Sequence, residues 1–470
     1  MYVYIMDEIG IFIFRRDHRI TDNYGLIQLS KQCKKVLPVF ILDPHQVKKS
    51  YANKWYFNSR VVQFMCESLI DLDHQLGNKL HIEYGEPSKV VHKLIKKYSY
   101  DCVVGFNEDF SAYSIKRDSA IKSVCKKHDV PVLTSKDDYT LVTFDQLQGY
   151  KQFGAFYKKY SKIKVAKPMS IRPHFVKTTG GVPISKLKTF YKHSENLEIG
   201  GRAKALSILA NLKKWSRYNT NRDLLTYRTT EISAFLNFGC VSVREFYHAI
   251  RNKLGKSNQL TKQLYWRDFF LSAVALLPGG NKFKHMDQRF ERIKWRKSRR
   301  YWNLLMESKT GFLLIDAAME QIRQTGYMHN RARLLVGSFW CKYLLINPFH
   351  KKYGSQVGFS SLLVDAIGPS QNKMNNHWLT EFDYSGKKFA PKGHPLAGRP
   401  MNSGNDTIKK WDPECGYIKK WLPHLAKVPV KDLVKWNKDL ASQYRKEGID
   451  HPAPIFDQKL KYKDWLRAVK

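Results

Sequence analysis

Short apolar runs alternating with amphipathic stretches constrain the first third of this 470-residue chain more than any other feature. Residues 9–14, 36–42, 81–84 and 102–106 are apolar or β-branched and read as strands, with 132–134 a candidate fifth. Between them lie helical stretches. In 59–76 the residues Val62, Met65, Leu69, Leu72 and Leu76 keep a three-to-four spacing, and Gly77 supplies the stop. Another helix follows Pro87, with Val90, Val91, Leu94 and Ile95 apolar. Strand–helix alternation predicts a parallel five-stranded sheet with helices on both faces. The nucleotide signatures that usually accompany this architecture are missing. There is no GxGxxG, and Gly255-Lys-Ser257 lacks the earlier glycine of a P-loop.

Residues 136–205 read as a long, irregular connector, with Pro168, Pro173, Gly180-Gly-Val-Pro183 and Gly200-Gly201 among many lysines. Beyond it the pattern turns helical and rich in tryptophan; only Trp55 precedes residue 205. That density suits a domain handling flat aromatic ligands. The expected division is therefore an α/β domain over 1–135, a connector over 136–205 and an all-α domain over 206–470.

With 81 Lys+Arg against 41 Asp+Glu the formal charge is +40, which favours a polyanionic partner such as nucleic acid. A general lysine bias would look the same. Seven scattered cysteines without a CxxC pair fit a reduced compartment and no zinc framework. No signal peptide opens the chain and no apolar run spans a bilayer, so a soluble, cytoplasmic or nuclear monomer away from membranes is expected.

The segment 325–334, TGYMHNRARL, concentrates the chemistry. Gly326 stops one helix (312–324), and a second is predicted from there to about Leu345. Asn330, Arg333 and Leu334 stand at i, i+3 and i+4 on it, so an amide and a guanidinium share a face of an otherwise apolar helix. An Asn and Arg satisfied inside a core would give the same pattern. Upstream, Tyr218-Asn-Thr-Asn-Arg222 precedes Thr229, Thr230 and Ser233, three hydroxyls predicted to start a helix. Such a start is either a phosphate cradle or plain N-capping. Gly239 ends that helix, and Ser242-Val-Arg-Glu245 is a capping box for the next. Gln263, Trp266 and Arg267 share another helix face, suited to stacking on a base and gripping a phosphate, or simply to a half-buried helix. Asp365 is placed to answer an arginine such as Arg333, and Arg399-Pro-Met-Asn402 precedes the WDPECGYIKKWLP run.

In this order, TTEISAFLNFGCVSVRE, WRDFF, KTGFLLIDAAMEQ, GYMHNRAR and WDPECGYIKKWLP resemble the DNA photolyase/cryptochrome family over nearly the whole chain. The opening strand and turn, Ile13 to Asn23, are similar too. The resemblance implies an N-terminal α/β domain and a helical domain holding FAD, reduced in its active form. It also implies double-stranded DNA carrying pyrimidine dimers as partner. Tyr218, Thr229, Thr230, Ser233 and Arg267 would hold the FAD phosphates and ribityl chain. Arg333 and Asp365 would pair against the isoalloxazine ring, tuning a reduced anionic flavin. Asn330 would sit between flavin and lesion, with Trp266 against a flipped-out dimer. Arg222, Arg399 and Asn402 would contact DNA. The implied chemistry is electron donation from photoexcited reduced flavin, splitting of the cyclobutane ring and return of the electron; extruding a dimer costs little because it already stacks badly.

Several positions depart from the family pattern. Gln263 replaces the glutamate of many cyclobutane-dimer enzymes and matches the (6-4) photolyase and animal cryptochrome branch. Asn330 instead lacks the imidazole acid that (6-4) chemistry needs, which favours cyclobutane dimers. Matching both ends of 365–378 puts Asn372 at flavin N5 and Trp378 at the lesion, with Asn376 where an inner relay tryptophan would stand. Trp295 matches the outer relay member, but the middle position falls at Pro348; Trp340 and Tyr343 are substitutes. The run 106–113, FNEDFSAY, departs from the folate-antenna pattern and leaves the identity of any second, antenna chromophore open. Cryptochrome-type signalling is the rival function; signalling members usually add a long polar tail, whereas this chain ends at Lys470.

Overall fold

The computed structural model describes residues 7–47, 59–150, 152–277, 293–347 and 405–457, with residues 350, 461, 464 and 467. It has two compact units. One holds the described residues up to Ser216 and from Ile232 to Leu277; the other holds Arg217–Glu231 and the described residues from 293 onward.

Unit one is built on a fully parallel five-stranded sheet: β1 (Asp7–Phe14), β2 (Cys33–Leu42), β3 (His81–Tyr84), β4 (Val103–Asn107) and β5 (Val132–Ser135), in the order β3-β2-β1-β4-β5. The fifth strand exists, as the short β-branched run suggested. β2 starts earlier than its apolar run because the helix Tyr24–Gln32 passes directly into it; Lys34 and Lys35 are exposed at that edge. The helix Ser59–Gln75 carries the predicted apolar stripe, and Gly77 beyond it has φ +66°. Pro87–Lys97 buries Val90, Val91, Leu94 and Ile95 against Ile11, Ile13, Leu37, Val39, Val104 and Phe106 of the sheet.

The strand order reverses between β1 and β4, and charged residues gather just past their C-terminal ends. Arg15 meets Asp118 at 2.7 Å, Arg16 meets Asp109 at 3.0 Å, and Arg19 meets Asp138 at 2.7 Å, all buried. Arg244, on the helix Val243–Leu254, reaches Asp22 at 2.8 Å and the carbonyls of Asp137 and Thr140. Breaking one partner of such a buried pair strands a charge, so these contacts fix geometry more than they add net stability. The predicted capping box is present: Ser242 Oγ accepts from Glu245 N–H, and the Glu245 carboxylate accepts from Ser242 N–H. Gly239, at φ +65°, passes so close to the 16–17 backbone that a Cβ would stand 2.2 Å from the Arg16 carbonyl oxygen.

Unit two is helical. Its core joins the helices Arg299–Met306, Leu313–Thr325, Asn330–Ser338 and Gly416–Trp421 through Leu305, Leu314, Ile315, Ile322, Met328, Leu335, Trp340, Tyr417 and Ile418. Here one expectation is corrected. The helix predicted to run to Leu345 is α-helical only over Asn330–Ser338 and widens to a π turn over Phe339–Tyr343. Leu344 N–H donates to the Phe339 carbonyl at 3.0 Å, a five-residue step, and Leu345 then turns left-handed at φ +53°. Phe339, Trp340, Tyr343 and Leu344 are all buried, so packing overrides the regular spacing.

All seven cysteines are buried, as thiols rather than disulfides. No helix among the described residues is long and apolar enough to cross a membrane.

Candidate functional site

Three motifs meet at Gln321 to position the Asn330 helix. The helix Leu313–Thr325 ends at Gly326, whose left-handed φ 68° and ψ 7° turn the chain back as predicted. Gln321 Oε1 accepts from the His329 N–H at 3.1 Å and from the Tyr417 hydroxyl at 2.7 Å. Tyr417 is held in turn by Asp412 of the WDP run, whose carboxylate accepts from the N–H groups of Tyr417 and Ile418 at 2.8 and 2.9 Å. Asp316 likewise accepts from Thr310 and Gly311 N–H, closing the KTG turn. The most legible motifs are thus first of all turn locks.

His329 caps the Asn330 helix, its Nδ1 accepting from Arg331 N–H at 3.2 Å. Burial pushes its pKa down to about 4, with Arg331 and Arg333 adding to the effect. A neutral ring with an accepting Nδ1 carries its hydrogen on Nε2, and that atom is buried without a hydrogen-bond partner. Asn330, half-buried, occupies the first turn. Arg333 is buried and donates from Nε to the Met328 carbonyl at 2.8 Å, with its guanidinium 5.5 Å from the Tyr327 ring.

Arg331 was missed by sequence reasoning. Its Nε and Nη2 both donate to Asp223 Oδ1, at 2.9 and 2.6 Å, and so tie the 217–231 segment to this helix. On that segment Tyr218 opens the short helix Tyr218–Asn221; burial pushes its hydroxyl up to about 12. Arg222 is half-buried, 3.9 Å from Asp223. Thr229 Oγ1 shares a 2.9 Å hydrogen bond with the Tyr327 hydroxyl, and Thr230 is buried. The expected helix start at these threonines is corrected. The helix is Ser233–Asn237, its cap position is Ile232 without a side-chain bond, and Glu231 before it is left-handed at φ +51°. Thr229 is drawn to Tyr327, about a hundred residues away in sequence, rather than to a local cap.

In unit one the helix Gln259–Leu276, capped by Asn258, carries Gln263, Trp266 and Arg267. Gln263 Nε2 donates to the Gln259 carbonyl at 3.5 Å. Trp266 lies flat on Phe153, ring centroids 3.5 Å apart and planes within 6°. Arg267 donates to the Tyr139 carbonyl, and burial lowers its pKa to about 10. Burial raises the neighbouring Asp268 to about 7 despite Arg267 at 3.7 Å; its Oδ2 accepts from Leu141 N–H at 2.7 Å.

Trp340 is wholly buried in unit two, 5.2 Å from Trp302 at 64°. Trp295 packs, partly buried, on the same core. Trp378, Asp365, Asn372, Arg399 and Asn402, with Pro348 and Asn376, lie outside the described residues.

The donor set fits a flavin nucleotide. His329 Nε2 and the Tyr227 hydroxyl are buried in unit two without hydrogen-bond partners, beside the arginines and hydroxyls of the same segments. Such open groups cost about 1–3 kcal/mol each unless a polar group satisfies them. In unit one, Arg15, Arg16 and Arg117 each keep a buried Nη2 without a partner, at the sheet's switch point, where open α/β sheets bind ligands.

Comparison with known proteins agrees. Residues 11–174 match the DNA photolyase family model and 260–470 the FAD binding domain of DNA photolyase. The chain belongs to the DNA photolyase/cryptochrome family and carries its FAD-binding domain. It is 26% identical to deoxyribodipyrimidine photo-lyase of Alkalihalophilus pseudofirmus, covering 99% of this chain and 98% of that one. It is 27% identical to the (6-4)DNA photolyase of Arabidopsis thaliana, covering 94% and 84%. Cryptochromes also stand among its relatives. An archaeal photolyase from Sulfolobus tokodaii, solved with two FAD molecules, superposes with a TM-score of 0.82 at 30% identity, covering 98% of this chain and 99% of that one.

Proposed function

We propose that this protein is a light-driven DNA repair enzyme that splits cyclobutane pyrimidine dimers. Bound FAD, reduced and excited by blue light, would supply the electron that opens the cyclobutane ring and take it back afterwards. The choice of cyclobutane over (6-4) lesions rests on one observation. Position 330 is an amide, and the adjacent His329 is a buried neutral ring whose Nδ1 is committed to Arg331 N–H and whose pKa is pushed down to about 4. Neither side chain supplies the imidazolium acid that (6-4) chemistry requires. Asn330 can orient a lesion or flavin carbonyl, and Gln263 can hydrogen-bond a pyrimidine edge without offering a proton or a charge. Tyr218, Thr229, Thr230, Ser233, Arg267 and Arg333 are the residues we assign to holding FAD, with Asp365 and Asn372 from the resemblance alone. Arg222, Arg399 and Asn402 are assigned to DNA.

The partnerless guanidinium nitrogens at the sheet's switch point support a second, anionic chromophore in unit one. A second FAD, as in the archaeal relative's structure, fits that chemistry.

The test is repair of oligonucleotides bearing one cyclobutane dimer or one (6-4) product, under blue light with fully reduced flavin. Cyclobutane repair without (6-4) repair is expected. Repair of neither lesion favours cryptochrome-type signalling, and (6-4) repair refutes the weight placed on Asn330 and His329.

A further inference from the structure

Phe153 is the first residue of the connector helix Phe153–Tyr160, and it covers the Trp266 indole at 3.5 Å with near-parallel planes. Two electron-rich ring faces avoid such full overlap and prefer offset or edge contacts at about 4.5–7 Å. Ring attraction alone therefore does not account for the arrangement; the helix imposes it. Phe156 and Tyr160 are buried, and the Tyr160 hydroxyl donates to the Gln146 carbonyl at 2.9 Å while accepting from Gln148 N–H at 2.7 Å. Phe153 also meets Phe269 edge-on at 5.8 Å. Phe269 in turn meets the edge of Trp266 at 5.7 Å and 85°. Phe153 thus belongs to an aromatic cluster in which Phe270 also stacks near Trp266 at 5.6 Å and 23°, and Trp266 is half-buried against it.

We infer that Phe153 is a positioning residue for lesion recognition: it sets the plane of Trp266 so that the indole meets a flipped-out, ring-saturated pyrimidine pair without first losing side-chain freedom. An indole fixed in advance gives up little conformational entropy on binding, and that saving falls on the lesion complex alone because undamaged duplex keeps its bases stacked. Phenylalanine suits the task because it presents a flat apolar face with no hydrogen bond to satisfy. The inference rests on the reading of Trp266 as the lesion-facing ring.

The test compares dark equilibrium binding of the FAD-loaded protein to a duplex with one cyclobutane dimer and to the same duplex undamaged. Phe153→Ala is expected to weaken lesion binding by roughly tenfold, the scale of one aromatic contact, with undamaged binding changed less than about twofold. Phe153→Tyr should restore selectivity. Phe153→Leu, which keeps the apolar volume, provides a folded comparison and should fall between. Tighter lesion binding by Phe153→Ala would mean that Phe153 plugs the site, and an unchanged lesion-to-undamaged ratio would remove its role; either overturns the inference. Trp266→Ala separates the two levels. If it loses selectivity while Phe153→Ala and Phe153→Leu keep it, only the Phe153 inference fails. If it too keeps selectivity, Trp266 is not the lesion-facing ring and both fail.

Discussion

His329 binds its proton late. Its folded pKa of about 4 lies below the ordinary histidine value of 6.5, because burial and two neighbouring guanidinium groups disfavour the charged ring. The unfolded chain therefore takes up this proton first. Stability from the neutral ring is complete above pH 6.5 and is lost as pH falls from there toward 4, at up to about 1.4 kcal/mol per pH unit. His329→Asn keeps a capping acceptor without a titrating ring, and its unfolding free energy should depend less steeply on pH over that window. Parallel denaturant titrations of both proteins at pH 4.5 to 7.5 check this; identical slopes would mean the ring is not buried neutral. Side-chain identities at this scale were legible: the capping box at Ser242 and the left-handed Gly326 followed from residue type. The tie of Arg331 to Asp223 was not, because nothing local distinguishes Arg331 from Arg333 until a carboxylate 108 residues away is in place.

At the scale of elements, the widened turn over Phe339–Tyr343 matters most. A π turn adds a residue to the helical repeat and rotates the faces that follow, and such turns recur at functional sites. Here it belongs to the segment that buries Trp340 against Trp302 on the helix Arg299–Met306. That contact bears on the photoreduction of oxidised flavin, for which the resemblance would put Asn376 and Pro348 at two positions of the family's relay. The expectation is that Trp340→Phe abolishes photoreduction of oxidised FAD, followed by absorbance under blue light with external reductant, while repair by chemically reduced enzyme persists. On that expectation Trp302, as well as Trp295, would be a ring to which Trp340 could pass the electron hole. Photoreduction of Trp340→Phe at the wild-type rate would exclude this route. Helical periodicity gave the right residues for the segment and the wrong repeat, since spacing reports burial and not the hydrogen-bond step.

Across the whole molecule the formal charge of +40 should govern DNA affinity. If those charges neutralise phosphates, counterion release makes log affinity fall linearly with log salt, and binding to undamaged duplex should drop at least about tenfold between roughly 50 and 200 mM salt. Arg399→Ala should weaken damaged and undamaged duplex about equally, whereas Trp266→Ala should cost selectivity. Measured affinities independent of salt would reduce the lysines to a compositional habit.

Alternating strands and helices, the helical second part and the ordered motifs could all be read along the chain, because φ/ψ preference, apolar period and turn chemistry are local properties. So could the family, and with it the FAD-binding domain. Tertiary structure alone decided what the motif residues touch: Thr229 with Tyr327 instead of a helix start, Arg267 on the Tyr139 carbonyl, and Phe153 flat on Trp266. Each of those contacts joins groups about a hundred residues apart in sequence. A donor or a ring face is satisfied by whatever packing brings to it, and no periodicity in the chain encodes that partner.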